Sequence, residues 1–152
     1  MTDWLSEDQE QAWRRFAAVL ELLPDALDAQ LRRDADLTHF EYWVLSMLSE
    51  APERTLRMTF LAERTNASLP RLSHVVSRLE DRGFVRRVPS PSDRRATNAQ
   101  LTAAGWRKVV KTAPGHLEAV RAHVVDALSA KQIAQLNDIS SAILHTLGAD
   151  GS

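Results

Sequence analysis

The stretch from Thr59 to Leu101, TFLAERTNASLPRLSHVVSRLEDRGFVRRVPSPSDRRATNAQL, constrains the fold more than any other part of the chain, because its local start and stop signals follow one another without a gap. Ser68 stands as a helix N-cap, with a hydroxyl able to accept from a free amide of the first turn. Pro70 falls early enough that its missing N–H costs nothing, and Gly83 ends the helix. Between them Leu72, Val75, Val76 and Leu79 recur at i, i+3, i+4 and i+7 and form one apolar face. A shorter helix precedes it, from Thr59 to Arg64 or Thr65, with Leu61 and Ala62 packing beneath. Asn66 and Ala67 make the turn, and Asn66 is suited to a left-handed conformation. Arg57 and Met58 read as a short strand ahead of this helix. After Gly83, Phe84 to Val88 alternates apolar and basic, and Pro89-Ser90-Pro91-Ser92 breaks the chain. Asp93-Arg94-Arg95 then leads into a second strand, Ala96 to Leu101, before Thr102 opens another helix.

Two helices joined by a tight turn and followed by a β-hairpin make a winged helix-turn-helix. A short helix carrying arginine, imidazole and hydroxyl groups outward can lie in the major groove of DNA, where arginine is the commonest partner of guanine. On that reading Pro70, Arg71 and His74 meet base edges or a thymine methyl, and Ser68, Ser73, Ser77 and Arg78 meet the backbone. Arg94 and Arg95 sit at the hairpin tip, where the negative potential of a narrow minor groove attracts a guanidinium. Asp93 is expected to orient a neighbouring arginine, although Asp also serves simply as a turn residue. The plain alternative for the helix is a solvated surface.

The charge distribution favours the first reading. The whole chain nets only −1, but Arg54 to Arg95 holds ten arginines against four acids, a local +6, and the rest of the chain nets −7. Segregation of this kind gives one face that attracts phosphates while the acidic remainder discourages indiscriminate binding. The segment contains no lysine; the planar fork of arginine suits phosphate and guanine better than a point charge does. The chain has no cysteine, which excludes disulfides, thiolate metal sites and cysteine-based oxidation sensing. No run reaches the roughly 18 apolar residues that span a bilayer, and Met1 to Glu10 is acidic where a signal peptide would be basic. A cytoplasmic location is expected.

The run LAERTNASLPRLSHVVSRLEDRGFVRR followed by DRRATNAQLT resembles the helix-turn-helix and wing of the MarR (multiple antibiotic resistance regulator) family, with Asp93, Arg95, Leu101 and Thr102 matching its wing signature. Two departures bear on specificity. Arg71 and His74 stand where small hydroxyl and arginine side chains are frequent in the family, so an operator sequence does not carry over. Arg94 replaces a small residue and makes the wing tip more basic.

The remaining helices follow from periodicity and caps. Leu5 to about Arg33 carries Trp13, Phe16, Ala17, Leu20 and Leu23 at helical spacing behind Ser6, and Pro24 is expected to kink or divide it. Thr38 with Glu41 forms a capping box, and Leu37 with Tyr42 a hydrophobic staple, for a second helix ending near Ala51-Pro52. Thr102 opens a helix running to about Leu128, with Val109, Val110, Leu117, Val120, Val124 and Leu128 inward and a kink near Ala113 ahead of Pro114-Gly115. Ser129 with Gln132 starts a last helix over Ala130 to Leu147, lined by Ile133, Leu136, Ile139, Ile143, Leu144 and Leu147. The terminal helices carry more apolar stripe than one small domain buries, and exposed aromatics such as Trp4 and Trp13 are read as a surface for another chain.

The expected architecture is mainly α, with six helices and a small β-wing. Residues 1–36 form an N-terminal dimerisation helix, 37–101 a DNA-binding lobe, and 102–152 C-terminal dimerisation helices. The resemblance implies a two-fold homodimer reading a palindromic operator in double-stranded DNA, acting as a repressor. It also implies release by a small aromatic or phenolic ligand in a cleft between the dimer helices and the DNA lobe. Trp13, Phe16, His39, Phe40, Trp43 and Met47 are the candidate lining residues by position. Nothing asks for catalysis, a cofactor or a metal. His39, His74, His116, His123 and His145 are scattered, and neither a nucleophile elbow nor a glycine-rich phosphate loop occurs. The competing class is a winged-helix protein-interaction module that never touches DNA.

Overall fold

Among the described residues, five of the six helices begin on a hydroxyl cap. Ser6, Thr38, Ser68, Thr102 and Ser129 accept from the amides of Gln9, Glu41, Arg71, Gly105 and Gln132, so the chain marks its own helix starts. At Ser6, Thr38 and Ser129 the reciprocal side-chain bond completes a capping box. The computed structural model describes residues 1–149. In order it contains α1 (Glu7–Ala35), α2 (His39–Glu50), β1 (Thr55–Arg57), α3 (Met58–Arg64), α4 (Leu69–Asp81), β2 (Val85–Pro89), β3 (Thr97–Leu101), α5 (Ala103–His123) and α6 (Ala130–Thr146).

Among the described residues four helix ends close by one device, the last being α6, where Gly148 (φ 78°) turns the chain and Ala149 N–H donates to Leu144 O at 2.9 Å. In each, a residue with positive φ turns the chain, and its own amide and that of the next residue bond back to orphan carbonyls of the last turn. After α4 it is Gly83 (φ 80°), with Phe84 N–H donating to Leu79 O at 3.0 Å. Between α3 and α4 it is Asn66 (φ 55°), as its side chain leads one to expect, with Ala67 N–H donating to Ala62 O at 3.0 Å. After α1 it is Asp36 (φ 52°), whose carbonyl also accepts from the Arg82 guanidinium, just past the end of α4, at 2.7 Å. The helix-turn-helix angle and the exit into the wing are therefore both fixed by backbone bonds.

The three strands form an antiparallel sheet in the order β1-β3-β2, with Thr55 opposite Gln100 and Val85 opposite Leu101. Leu31, Val44, Leu45, Leu48, Leu61, Leu72, Val76, Leu79, Val85 and Ala99 form one core joining the second half of α1 to the lobe. This core holds α4 on its apolar face and leaves the opposite face to solvent.

Several expectations need correction. The first wing-paired strand is Thr55–Arg57, and Met58 instead opens α3 and is buried. Pro24 does not divide its helix: α1 runs unbroken through it, as α5 runs through Pro114. A proline removes one rung of the ladder, and the buried turns beside it, Leu27 and Leu31 in α1 and Val109 and Thr112 in α5, hold the helix in place. The fifth helix ends at His123, and a single 3-10 turn over Val125–Ala127 replaces its expected last turn. Val110 and Leu117, expected inward, are exposed on this chain. So are Trp4, Trp13 and Leu20 near one terminus and Leu136, Ile139 and Leu147 near the other; α6 has no buried residue at all.

Candidate nucleic-acid interface

Helix α4 presents Ser68, Pro70, Arg71, His74 and Arg78 on its exposed side. The apolar stripe of Leu72, Val75, Val76 and Leu79 fixes this face, since burying it leaves these positions outward. The Ser68 hydroxyl is committed to the cap, accepting from Arg71 N–H at 3.3 Å. The guanidinium of Arg71 stacks on Phe40 of α2, 3.9 Å from the ring centroid. Arg78 approaches the buried carboxylate of Glu41 at 3.7 Å. Both arginines thus rest against α2, while His74 is exposed to solvent between them.

Ser73 and Ser77 are half-buried and engaged by a residue that the sequence reading left out. Arg87 of β2 donates to Ser77 Oγ (3.1 Å), Ser73 O (2.8 Å), Ser73 Oγ (3.0 Å) and Glu80 Oε1 (2.9 Å), while its backbone N–H donates to Glu80 Oε2 (3.1 Å). A usable signal was present. Strand alternation puts Arg87 on the same side as buried Val85, and Ser73, Ser77 and Glu80 recur at i, i+4 and i+7. Arg86, on the other side, instead donates to Gln100 at 2.7 Å.

The wing tip is organised by Asp93. Its carboxylate accepts from the backbone N–H of Arg95 at 3.0 Å, and its carbonyl from Ala96 N–H at 3.1 Å. Asp93 therefore acts on Arg95 through the backbone, as a turn residue does, and leaves the Arg94 and Arg95 side chains exposed. Between the wing and α4 lies a groove of about 360 Å³ lined by Arg57, Thr59, Ser73, Arg87, Asp93 and Arg95 among others. A helix with exposed arginines, a basic wing beside it and an arginine-lined groove between them form one continuous face of phosphate-seeking groups.

A protein-family model described as the MarR family matches residues 35–96. The crystal structure of Sco3205, a MarR family transcriptional regulator from Streptomyces coelicolor in complex with DNA, is 42% identical with a TM-score of 0.94, covering 97% of this chain and 92% of that one. The chain belongs to the MarR family. AbsC, a MarR family transcriptional regulator from Streptomyces coelicolor, is 36% identical with a TM-score of 0.92, covering 96% of this chain and 98% of its own. The HTH-type transcriptional regulator YfiV of Bacillus subtilis (strain 168) is 32% identical over 98 residues, which span 64% of this chain and 59% of that protein. For this MarR-family chain, transcription regulation and DNA binding by a winged helix follow from that membership.

The six candidate ligand residues fall in several places, although the His39 and Trp43 rings of α2 lie 6.1 Å apart between centroids. His39 and Phe40 line a cleft of about 690 Å³ with Pro24, Asp28, Thr38, Pro70, Arg71, His74 and Arg78. Trp43 lines a different one, of about 1120 Å³, with Phe60, Arg64, Leu144 and Leu147. Met47 packs against the core, and Trp13 and Phe16 pair edge to face at 6.5 Å on the exposed half of α1. His39 instead meets His116 of α5 at 5.7 Å between ring centroids, and His116 meets Tyr42 at 4.6 Å. Burial holds both imidazoles below the usual histidine range, with Asp28 partly offsetting this at His39 and His39 adding to it at His116. Among the described residues no group of three or more His, Cys, Asp or Glu could hold a metal ion, and no helix is long and apolar enough to cross a membrane.

Proposed function

We propose that the chain is a homodimeric, sequence-specific regulator that reads a palindromic operator and represses from it. The observation that carries the reading is the exposed face of α4 with Pro70, Arg71, His74 and Arg78, set beside a wing ending in Arg94 and Arg95. Arg71 and His74 are the proposed base readers, with Pro70 against a base edge or thymine methyl. Arg78 and the wing arginines supply backbone and minor-groove charge, and Ser73 and Ser77 contribute through their link to the wing. Residues 37–101 are the reading lobe, and 1–36 and 102–152 the dimerisation parts, supported by the uncovered apolar side chains of α1 and α6. A dimer would set two α4 helices one DNA turn apart, about 34 Å, which is the spacing a palindrome matches. A protein seated there blocks access to the promoter it covers.

The cleft beside Phe40 and Arg71 suggests how release would work. Arg71, His74 and Arg78 line it, so a small aromatic acid bound there would engage the side chains that DNA also needs. Each ligand would then lower affinity for the other by the same factor.

Selection of duplexes from genome fragments, followed by a salt titration of the best one, tests the reading. The expected result is an enriched palindrome bound by a dimer, with log affinity falling about 0.9 per phosphate neutralised as log salt rises. Negligible binding of any duplex at low salt would overturn it and favour the protein-interaction module.

A further inference from the structure

We propose that Arg87 is the positioning residue that locks the wing to the recognition helix, so that reading by α4 and insertion of the wing depend on one guanidinium. The inference rests on the DNA-reading function proposed above. Two elements are tied here by a side chain in the groove between them, with its guanidinium committed to α4. Arg87 reaches from β2 along two turns of α4 and binds three positions in a row, Ser73, Ser77 and Glu80. Its Nη2 also reaches the Ser73 carbonyl in mid-helix, where Ser77 Oγ donates as well, at 3.0 Å. The Glu80 carboxylate spends both oxygens on this one residue, one on the guanidinium and one on the backbone N–H.

The geometry needs a fork. Two parallel nitrogens address a carboxylate and hydroxyl on one side and a carbonyl and hydroxyl on the other, which a single ammonium cannot reproduce. Such a clamp specifies both the rotation of α4 about its axis and the distance from α4 to β2. Arg71 and His74 sit on the same helix as the clamped serines, and Arg94 and Arg95 lie at the end of the hairpin that Arg87 belongs to. A loosened clamp therefore leaves every DNA-facing charge present but no longer fixes the two groups relative to each other. Discrimination between sequences should suffer before attraction to phosphates does.

The experiment compares Arg87→Lys and Glu80→Gln with the unaltered full chain, using the best selected duplex and a random duplex of equal length. Arg87→Lys conserves charge, and it should lower affinity for the best duplex by about tenfold while leaving random-duplex affinity and the salt slope within twofold. Glu80→Gln makes the face more positive and should still reduce the ratio of specific to random binding. Hydrogen exchange on the DNA-free protein is read in parallel, with faster exchange expected in α4 from Ser73 onward and in β2, and none in α2. Equal losses on both duplexes, or a ratio within twofold of the unaltered chain in both variants, would overturn the inference. So would unchanged exchange in α4 and β2, even if no preferred duplex existed. Absence of a preferred duplex for the unaltered chain, with exchange altered as expected, would instead overturn the DNA-reading function and confine Arg87 to holding the wing.

Discussion

The guanidinium of Arg71 lies 3.9 Å from the centroid of the Phe40 ring, so the side chain proposed to read a base is stacked on α2 in the DNA-free chain. A stack of this kind contributes about 0.5 to 1 kcal/mol at an exposed site. Arg71→Ala should weaken the preferred duplex by about 1 to 3 kcal/mol and relax specificity at one base pair. Phe40→Leu should do the reverse, strengthening binding severalfold by removing the competing stack. Titration of both variants against the selected duplex checks this. A loss of affinity in Phe40→Leu would show that the stack is carried into the complex.

Two glycines of α5 should respond oppositely to alanine. A Cβ at Gly105 would stand 2.2 Å from the Phe84 carbonyl oxygen and 2.6 Å from Leu101 Cδ1, and the backbone oxygen cannot swing aside. Gly105→Ala should therefore destabilise by about 1 to 3 kcal/mol, as overpacking does, and displace α5 from the wing base. At Gly115 the nearest atoms are Gln30 Nε2 at 3.6 Å and Asp34 Oδ2 at 3.7 Å, ordinary contact. Gly115→Ala should stabilise by about 0.5 to 1 kcal/mol, because alanine loses less conformational freedom in a helix. Denaturant midpoints of the two variants are the measurement.

Acid should weaken the junction between α1, α2 and α5. His39 and His116 lie 5.7 Å apart between ring centroids and are both held below the ordinary value of 6.5 chiefly by burial, and His116 Nδ1 is buried without a hydrogen-bond partner. Because the folded chain takes up these protons later than the unfolded one, stability is fully present above about pH 6.5 and falls as pH drops below it. Asp28, whose carboxylate accepts from His39 N–H at 2.6 Å, softens the effect at His39 without reversing it. The melting temperature should fall between pH 7.5 and 5.5, and His116→Phe should flatten that dependence. An unchanged slope in His116→Phe would remove His116 as its source.

What was legible in the sequence was what neighbours in the chain decide. Caps at Ser6, Thr38, Ser68, Thr102 and Ser129 and turns at Asn66 and Gly83 are local bonds, and they stand where the residue types put them. What was not legible depends on contacts between distant segments. Pro24 read as a kink or a division because propensity weighs one lost bond, whereas packing of the adjacent turns keeps α1 continuous. Arg87 escaped because its partners lie 7 to 14 residues away on another element. The six proposed ligand residues shared helical spacing, yet Trp43 and His39, one turn apart on α2 with ring centroids 6.1 Å apart, line different clefts.

The unburied helix α6 yields the last expectation. Ile133, Leu136, Ile139 and Ile143 form its apolar side, each more than a third exposed, and Leu20 and Leu22 of α1 are similarly bare. A helix with no buried residue gains little from its own chain and is marginal alone in water. In the proposed homodimer its persistence would depend on a second copy, and the melting temperature should then rise with protein concentration. Ile139→Lys places a charge on that side and should convert the proposed dimer to monomer in sedimentation, reduce helix content, and cost more affinity on a two-half-site palindrome than on an isolated half-site, because only the palindrome would use the linkage between copies. A dimer that survives Ile139→Lys with unchanged palindrome affinity would move the interface off α6.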